Sequence, residues 1–317
     1  MKPRDSFHPP AERVADLERA RRLEWITIGF ALTAITAVFM TMGSSQAMKT
    51  AWIEDVLGLI PPAAFLIATR LENREPDPRF PYGFHRSLAI AFLCASVALA
   101  AMGAFLLYEA VTTLMAGERP TIGTVELFGR QIWLGWAMVA ALVYSAIPQV
   151  ILGRIKGPIA RRIHDKALHA DADMNRADWL TAVAAIGGIV GIGFGFWWAD
   201  AAAAAVIALD VLHDGWKNLA QVIRDLMDER PTHVGSGEPE ELPARMRELL
   251  HSLDWVADAD VRLREEGHVF SGEVFVVPHD ERDLVARLER VGTDLRALDW
   301  RLYDLSIVPV RTLERPA

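Results

Sequence analysis

Three carboxylates, Asp171, Asp173 and Asp178, stand with His169 and Asn175 in the stretch HADADMNRADWLTA (169–182), where a long apolar run begins. A second acidic pair, Glu54 and Asp55, lies inside KTAWIEDVLGLIPPAAF (49–65). Acids within apolar runs are costly, so each needs a partner or a function. On a helix, Asp171, Met174, Asn175 and Asp178 fall at i, i+3, i+4 and i+7 and form one stripe, while Asp173 shares another face with His169 and Ala177. Carboxylates brought to one depth by two helices make an oxygen-rich cage suited to a divalent cation. Empty, such a cluster repels itself and takes up protons; occupied, it releases them, so metal and protons compete for one place.

Each acid also has a plainer reading. Lys49 could neutralise Glu54 or Asp55, which point about 100° apart, so that only one of them faces a given neighbour. Asp173 with His169 would form a solvated first helical turn, where acids suit the helix dipole. Asp200 reads as a solvated acid at a helix start, and Asp210 either lines the same cavity or bonds a neighbouring helix. His213 is either a proton-carrying group or an interfacial side chain. Pro61 and Pro62 remove two backbone donors close to the acidic pair, so a kink or unwound turn is expected there, and broken backbone at membrane depth belongs beside a cavity.

The elements that must hold these residues are apolar. Of 317 residues 52% are hydrophobic, ten of them Trp. They collect in the first 220 positions in blocks of about 20 residues, the length a helix needs to cross the hydrocarbon core. Spans are expected at 25–43, 49–69, 87–114, 132–152, 170–193 and 196–219. The first follows too charged a segment to be a cleaved signal peptide. Basic residues concentrate in the N-terminal segment, in RLENREPDPRFPYGFHR after the second span and in GRIKGPIARRIHDK after the fourth. The loops between are poor in them, which puts both termini on the cytoplasmic side. Cys94, the single cysteine, is expected in the core and cannot form an intrachain disulfide.

Beyond the last span the composition changes. Residues 231–317 hold 18 acids against 11 Lys or Arg, which accounts for nearly all of the net charge of -8. GSGE (235–238) reads as a linker or turn. A helix over 238–252, two strands around EEGH, a helix over 281–295 and a strand in RLYDLSIVPV give an α-β-β-α-β order, a small α+β domain with helices on one face of a sheet. His251, His268 and His279 are surface residues on this reading. The organisation expected is therefore membrane α-helical: a cytoplasmic N-terminal segment (1–24), a six-helix transmembrane domain (25–230) and a cytoplasmic α+β domain (231–317). No nucleophile–base pair or phosphate loop stands out, which speaks against an enzyme. No nucleic-acid partner is expected.

At these residues the sequence resembles the cation diffusion facilitator family. ADADMNRAD (170–178) lines up without gaps with the family's A-D-A-x-H-N-x-S-D, and RLENREPDPRFPYGFHR is similar to its D-x4-[FY]-G-x-x-[KR], matched by Asp77, Tyr82, Gly83 and Arg86. YEAVTTLMAGERP and WWADAAAAAVIAL look like the end of its third span and the start of its sixth. The resemblance implies proton-coupled export of a divalent metal by alternating access, in an inner or plasma membrane, by a homodimer with six spans and a cytoplasmic ferredoxin-like domain. Asp178 takes the place of a metal-binding aspartate, and Met174 replaces the usual histidine or aspartate. Counting back from Arg70, Glu54 falls on the first metal-binding position of the second span and Gly58 on the second, normally an aspartate.

The implied core ligands are thus Glu54 and Asp178. Asp55 or Asp173 could substitute for the missing pair if either helix is rotated or locally unwound, and Asp171 and Asn175 would be supporting or access groups. Phe80 and Phe84 stand where some zinc exporters have loop histidines. Phe275, Leu288 and Ser306 stand roughly where metal-binding tails have them, so the tail is implied to dimerise without bound metal. Carboxylates without histidine favour manganese or ferrous iron over zinc, while the Met174 thioether pulls the other way. No resident cofactor is implied besides the transported cation. Gly58 and Met174 favour a rival reading, a non-transporting scaffold or sensor that acts through the cytoplasmic domain.

Overall fold

The computed structural model describes residues 10–72, 74–117, 122–127 and 130–313. The first nine residues of the basic N-terminal segment, Asn73, parts of the loop after Gly117 and the last four residues lie outside the described residues, together with the charges they contribute to the loop reading. Among the described residues, seven helices precede the tail: α1 (Ala11–Thr41), α2 (Gln46–Leu57), α3 (Ile60–Glu72), α4 (Ser87–Ala116), α5 (Leu134–Ile163), α6 (Lys166–Gly193) and α7 (Ala199–Leu226). With α2 and α3 taken as one path over Gln46–Glu72, five are long and apolar enough to cross a membrane. The helix α7 has the length, 28 residues, but is not among the five. Asp210, His213, Asp214 and Lys217 interrupt its apolar run.

Most boundaries shift by a few residues from the sequence reading, and those of α1 and α5 shift furthest. The helix α1 starts well before its apolar run, because ERVADLERARRLE is made of strong helix formers, and Asp16 accepts hydrogen bonds from Arg162 Nε and Nη2 at 2.8 and 2.9 Å. The basic segment after the fourth span is helix rather than loop. Pro158 removes a single backbone donor and does not end α5, which continues to Ile163. The chain then reverses through His164, in the left-handed region at φ 55, and Asp165, which caps α6 by accepting from the Leu168 N–H at 2.8 Å.

The expected break beside the two prolines is present. The helix α2 stops at Leu57, Gly58 and Leu59 turn, and α3 restarts at Ile60. Pro61 and Pro62 therefore occupy the first turn of α3, where a missing N–H forfeits no intrahelical bond. Before α5, β1 (Thr124–Leu127) and β2 (Arg130–Trp133) pair antiparallel, strands that the sequence reading did not include. The helices α4 and α7 cross most closely at Gly103 and Gly215: a Cβ on Gly215 would lie 2.5 Å from Ala100 N, and one on Gly103 would lie 2.6 Å from Leu212 N.

Met48, Leu99, Met138, Ile189 and Ile207 form the buried centre of the bundle, while Trp25, Phe105, Trp136 and Trp216 lie on its outside. Cys94 is exposed on α4, not buried. Phe92, Ala95, Ser96 and Leu99 hold the inner face, and in a helix apolar all round the residue types do not separate inward from outward positions.

The tail has the expected order: α8 (Leu242–His251), β3 (Val256–Glu266), β4 (Val269–Pro278), α9 (Leu284–Leu298) and β5 (Leu302–Pro309). The strands β3 and β4 are antiparallel around the Gly267-His268 turn, and β5 lies parallel to β4. Both helices share one core with the sheet, in which Met246 and Leu250 of α8 and Leu295 of α9 meet Phe270, Val274 and Val276 of β4. Residues 234–236 form the turn of a loop closed by a Thr232–Pro239 bridge. His251 and His279 are exposed, as expected, but His268 is only 5% exposed.

Candidate functional site

An internal cavity of about 30 Å³ lies where α2, α6 and α7 meet. That exceeds the roughly 10–15 Å³ that one water molecule needs, and leaves room for a single ion. Glu54, Asp55, Asp171, Asp178, Asp210 and Asp214 line it with Gly58, Gln149, Met174 and Asn175, and no Lys, Arg or His is among the described lining residues. Helical spacing brings the stripe Asp171, Met174, Asn175 and Asp178 to one wall, and the break at Gly58 opens the opposite wall beside Glu54 and Asp55. Asp178 Oδ2 is shielded from solvent and accepts no hydrogen bond from the described residues. Such an atom is costly unless something positive visits it. Among the described residues no three His, Cys, Asp or Glu side chains converge closely enough to hold a metal by themselves, so a cation here would also draw on neutral donors or water.

The acids are not equivalent. Asp55 accepts from Ser145 Oγ at 3.0 Å and from Gln149 Nε2 at 3.1 Å, two α5 residues that the sequence reading passed over. Asp171 is held by Lys156 Nζ at 2.7 Å and by Asn175 Nδ2 at 3.1 Å. Lys156 is 0% exposed and also donates to Glu24 Oε2 at 2.9 Å, so α1, α5 and α6 share one buried ammonium. Asp171 therefore arrives already neutralised from behind. Glu24 and Lys156 lie at the charged ends of their apolar blocks, where their sequence neighbours gave no sign that they are buried.

Asp173 lies outside the small cavity. It meets His169 at 3.5 Å and Arg176 at 3.2 Å and lines a cavity of about 590 Å³ on the tail side, bounded by α6, α7 and the 229–237 segment. Met174 and Asp214 line both cavities and stand between them. The Met174 sulfur is approached by Asn218 Nδ2 at 3.8 Å. Asp214 was not singled out from sequence; its place one turn after Asp210 on α7 was the available signal.

Residues 24–227 match the family described as the cation efflux transmembrane domain. The chain belongs to the cation efflux family. It is 25% identical over 219 residues to the manganese efflux system protein MneS of Bacillus subtilis, covering 68% of this chain and 71% of that one. It is also 24% identical over 281 residues to the uncharacterized transporter YdbO of the same organism, covering 83% and 92%. To the magnetosome protein MamB of Magnetospirillum gryphiswaldense it is 22% identical over 204 residues, 64% of each chain. Members of this family move metal cations out across a membrane; they are transporters and not enzymes, and the chain is a multi-pass membrane protein.

Other charged residues of this cation efflux protein have structural duties. Lys49 pairs with Glu109 of α4, not with the acidic pair next to it in sequence. Asp200 is 0% exposed rather than solvated: it accepts from Ser45 Oγ at 2.6 Å and from the N–H groups of Gln46 and Ala47, and so fixes the start of α2. Packing of α7 against α2 decides this, and a helix-start acid read from sequence alone does not show it. Asp77 accepts from the N–H groups of Arg79 and Phe80, both at 2.7 Å, and shapes the loop after α3. Arg86 donates to Asp228 at 2.7 Å, past the end of α7. His213 is exposed.

Proposed function

We propose that the protein exports a divalent metal cation in exchange for protons by alternating access, with Glu54 and Asp178 as the core ligands. The observation that carries this reading is the ion-sized cavity lined by acids from α2, α6 and α7, in which Asp178 Oδ2 is shielded from solvent and has no donor among the described residues. Asp55, positioned by Ser145 and Gln149, is the substitute ligand nearest to hand, since it lines the same cavity. Met174 and Asn175 offer sulfur and amide oxygen beside it. Asp171, bound to Lys156, supports the site rather than ligating, and Asp173 acts earlier, as an access group in the tail-side cavity. Manganese is the favoured cargo, on the carboxylate-rich, histidine-free lining and on the name of the relative MneS.

In this reading α7 is a sixth crossing helix whose acids turn inward, which leaves both termini on the cytoplasmic side of an inner or plasma membrane. Residues 1–24 precede the 25–230 transmembrane domain, and residues 231–317 form a cytoplasmic, ferredoxin-like dimerisation domain of a homodimer. The test is manganese uptake into everted membrane vesicles carrying an imposed proton gradient. Glu54→Gln and Asp178→Asn should each reduce uptake to the level of vesicles without the protein, and collapse of the gradient should do the same to the unmodified chain. Uptake that is absent from the unmodified chain would leave the scaffold or sensor reading. That reading draws on the lack of three converging His, Cys, Asp or Glu side chains among the described residues.

A further inference from the structure

A histidine joins the tail to the membrane helices. The Gly267-His268 turn between β3 and β4 reaches the end of α3 and the α5–α6 junction. His268 Nδ1 lies 2.7 Å from Glu72 Oε2, the last residue of α3, and His268 Nε2 lies 2.9 Å from Asp165 Oδ2, the residue that caps α6. Asp165 is 0% exposed. Gly267 has φ +66, and a Cβ there would lie 2.9 Å from the His85 carbonyl oxygen, so the turn seats this deeply only with glycine.

The surrounding charges are already engaged. His85 Nδ1 lies 3.2 Å from the other oxygen of Glu72, and its ring packs edge-on against Tyr303 of β5. Asp165 Oδ1 accepts from the Leu168 N–H. Glu265 lies 2.9 Å from Lys166 Nζ and 3.4 Å from His164 Nε2, and Lys166 also reaches Asp225 at 3.0 Å. Glu266 takes Arg264 at 2.8 Å and Ser271 at 3.2 Å, with Arg86 at 3.6 Å.

A neutral imidazole has one N–H and one lone pair, so it can donate to only one of two carboxylates and must turn its lone pair on the other. Only the imidazolium donates to both. We propose that His268 is a positioning residue for transport, whose imidazolium clamps the tail-side ends of α3 and α6 together against the tail and releases them when it loses its proton. Those helices lead directly to Glu54-Asp55, across the Gly58 break, and to Asp178. Parting their ends would open the inner cavity toward the tail-side one, and the clamp holds against that. The role in transport rests on the reading of the inner cavity as the transport site; the clamp itself does not.

Burial alone would lower the His268 pKa, but the Glu72 and Asp165 carboxylates outweigh it and hold it well above the ordinary range. The sign follows from that direction. The clamp is complete below the ordinary histidine value of about 6.5 and is lost as pH rises through the raised value.

The experiment is hydrogen–deuterium exchange on the full-length protein from pH 6 upward, corrected for intrinsic rates, at the 264–270 turn and the end of α3. In the unmodified chain, protection should be high at pH 6 and fall on alkalinisation. His268→Gln has one donor nitrogen and its other polar atom is an acceptor, so it cannot replace the two N–H donors of the imidazolium; its exchange at pH 6 should be roughly tenfold faster and independent of pH, in keeping with the loss of one charge-assisted hydrogen bond. If His268→Gln does not fold, Glu72→Gln serves in its place and should shift the loss of protection to lower pH. The same variants should shift the pH profile of manganese uptake. Unchanged protection and an unchanged pH profile in the variant, with Glu54→Gln still abolishing uptake, would overturn the clamp and spare the transport reading. Uptake insensitive to Glu54→Gln and Asp178→Asn, with the exchange result as expected, would overturn the transport reading and leave the clamp.

Discussion

Replacing Lys156 by methionine tests whether the buried triad holds α1, α5 and α6 together. The substitution keeps most of the apolar stem and removes only the ammonium, so the loss is electrostatic rather than one of packing. Glu24 and Asp171 then face each other without a counter-charge, at positions 0% and 5% exposed, after losing donors at 2.9 and 2.7 Å. Breaking a buried pair by removing one partner costs about 3–5 kcal/mol. The middle of that range gives an expected loss of about 4 kcal/mol. At about 2–4 °C per kcal/mol for a domain of roughly 200 residues, the melting temperature should fall by about 8–16 °C.

The assay is thermal unfolding of detergent-purified protein, followed by tryptophan fluorescence and by the fraction that stays monodisperse after heating. The companion is the triple variant Glu24→Gln, Lys156→Met, Asp171→Asn, in which no charge is left uncompensated. Neutral replacement of an entire buried ionic group is often harmless or stabilising, so at least half of the lost stability should return. A Lys156→Met protein that melts within about 2 °C of the unmodified chain, or a triple variant as damaged as the single one, would refute the reasoning.

Two further outcomes follow from packing. Gly215→Ala should lower stability by about 1–3 kcal/mol, because the added Cβ meets Ala100 backbone at 2.5 Å, against a gain in helix propensity of about 1 kcal/mol; a more stable protein in the same melting assay would mean that α4 and α7 do not cross there. Asp200→Ala removes the acceptor shared by Ser45, Gln46 and Ala47 and should cost about 2–4 kcal/mol, with Asp200→Asn losing less. Since α2 carries Glu54 and Asp55, manganese uptake should fall in parallel with the loss of stability in the Asp200 variants.

The parts of this molecule that were legible in the sequence rest on local rules. A helix needs about 20 apolar residues to cross a bilayer, so six spans were expected from composition, and five of the described helices are long and apolar enough, α7 not among them. The stripe of Asp171, Met174, Asn175 and Asp178 follows from helical periodicity and does line one wall. The break next to Glu54 and Asp55 follows from two adjacent prolines. In the tail, alternating strands and turn residues were enough for the order α-β-β-α-β.

The partner of each charge was not legible, because a partner is a property of the space between elements. Lys49 was read against the acids five and six residues away and is paired with Glu109 sixty residues on. Asp200, Lys156 and His268 are polar residues near the ends of their elements, and nothing local distinguishes such a residue in solvent from one buried under a neighbouring helix. The sequence alone thus determined where the apolar helices run, though not where they begin and end, and which acids share a face. Only the tertiary structure decided which of those acids stay unsatisfied in a cavity and which are already neutralised, since burial and pairing depend on what a second and third helix bring to within about 3 Å.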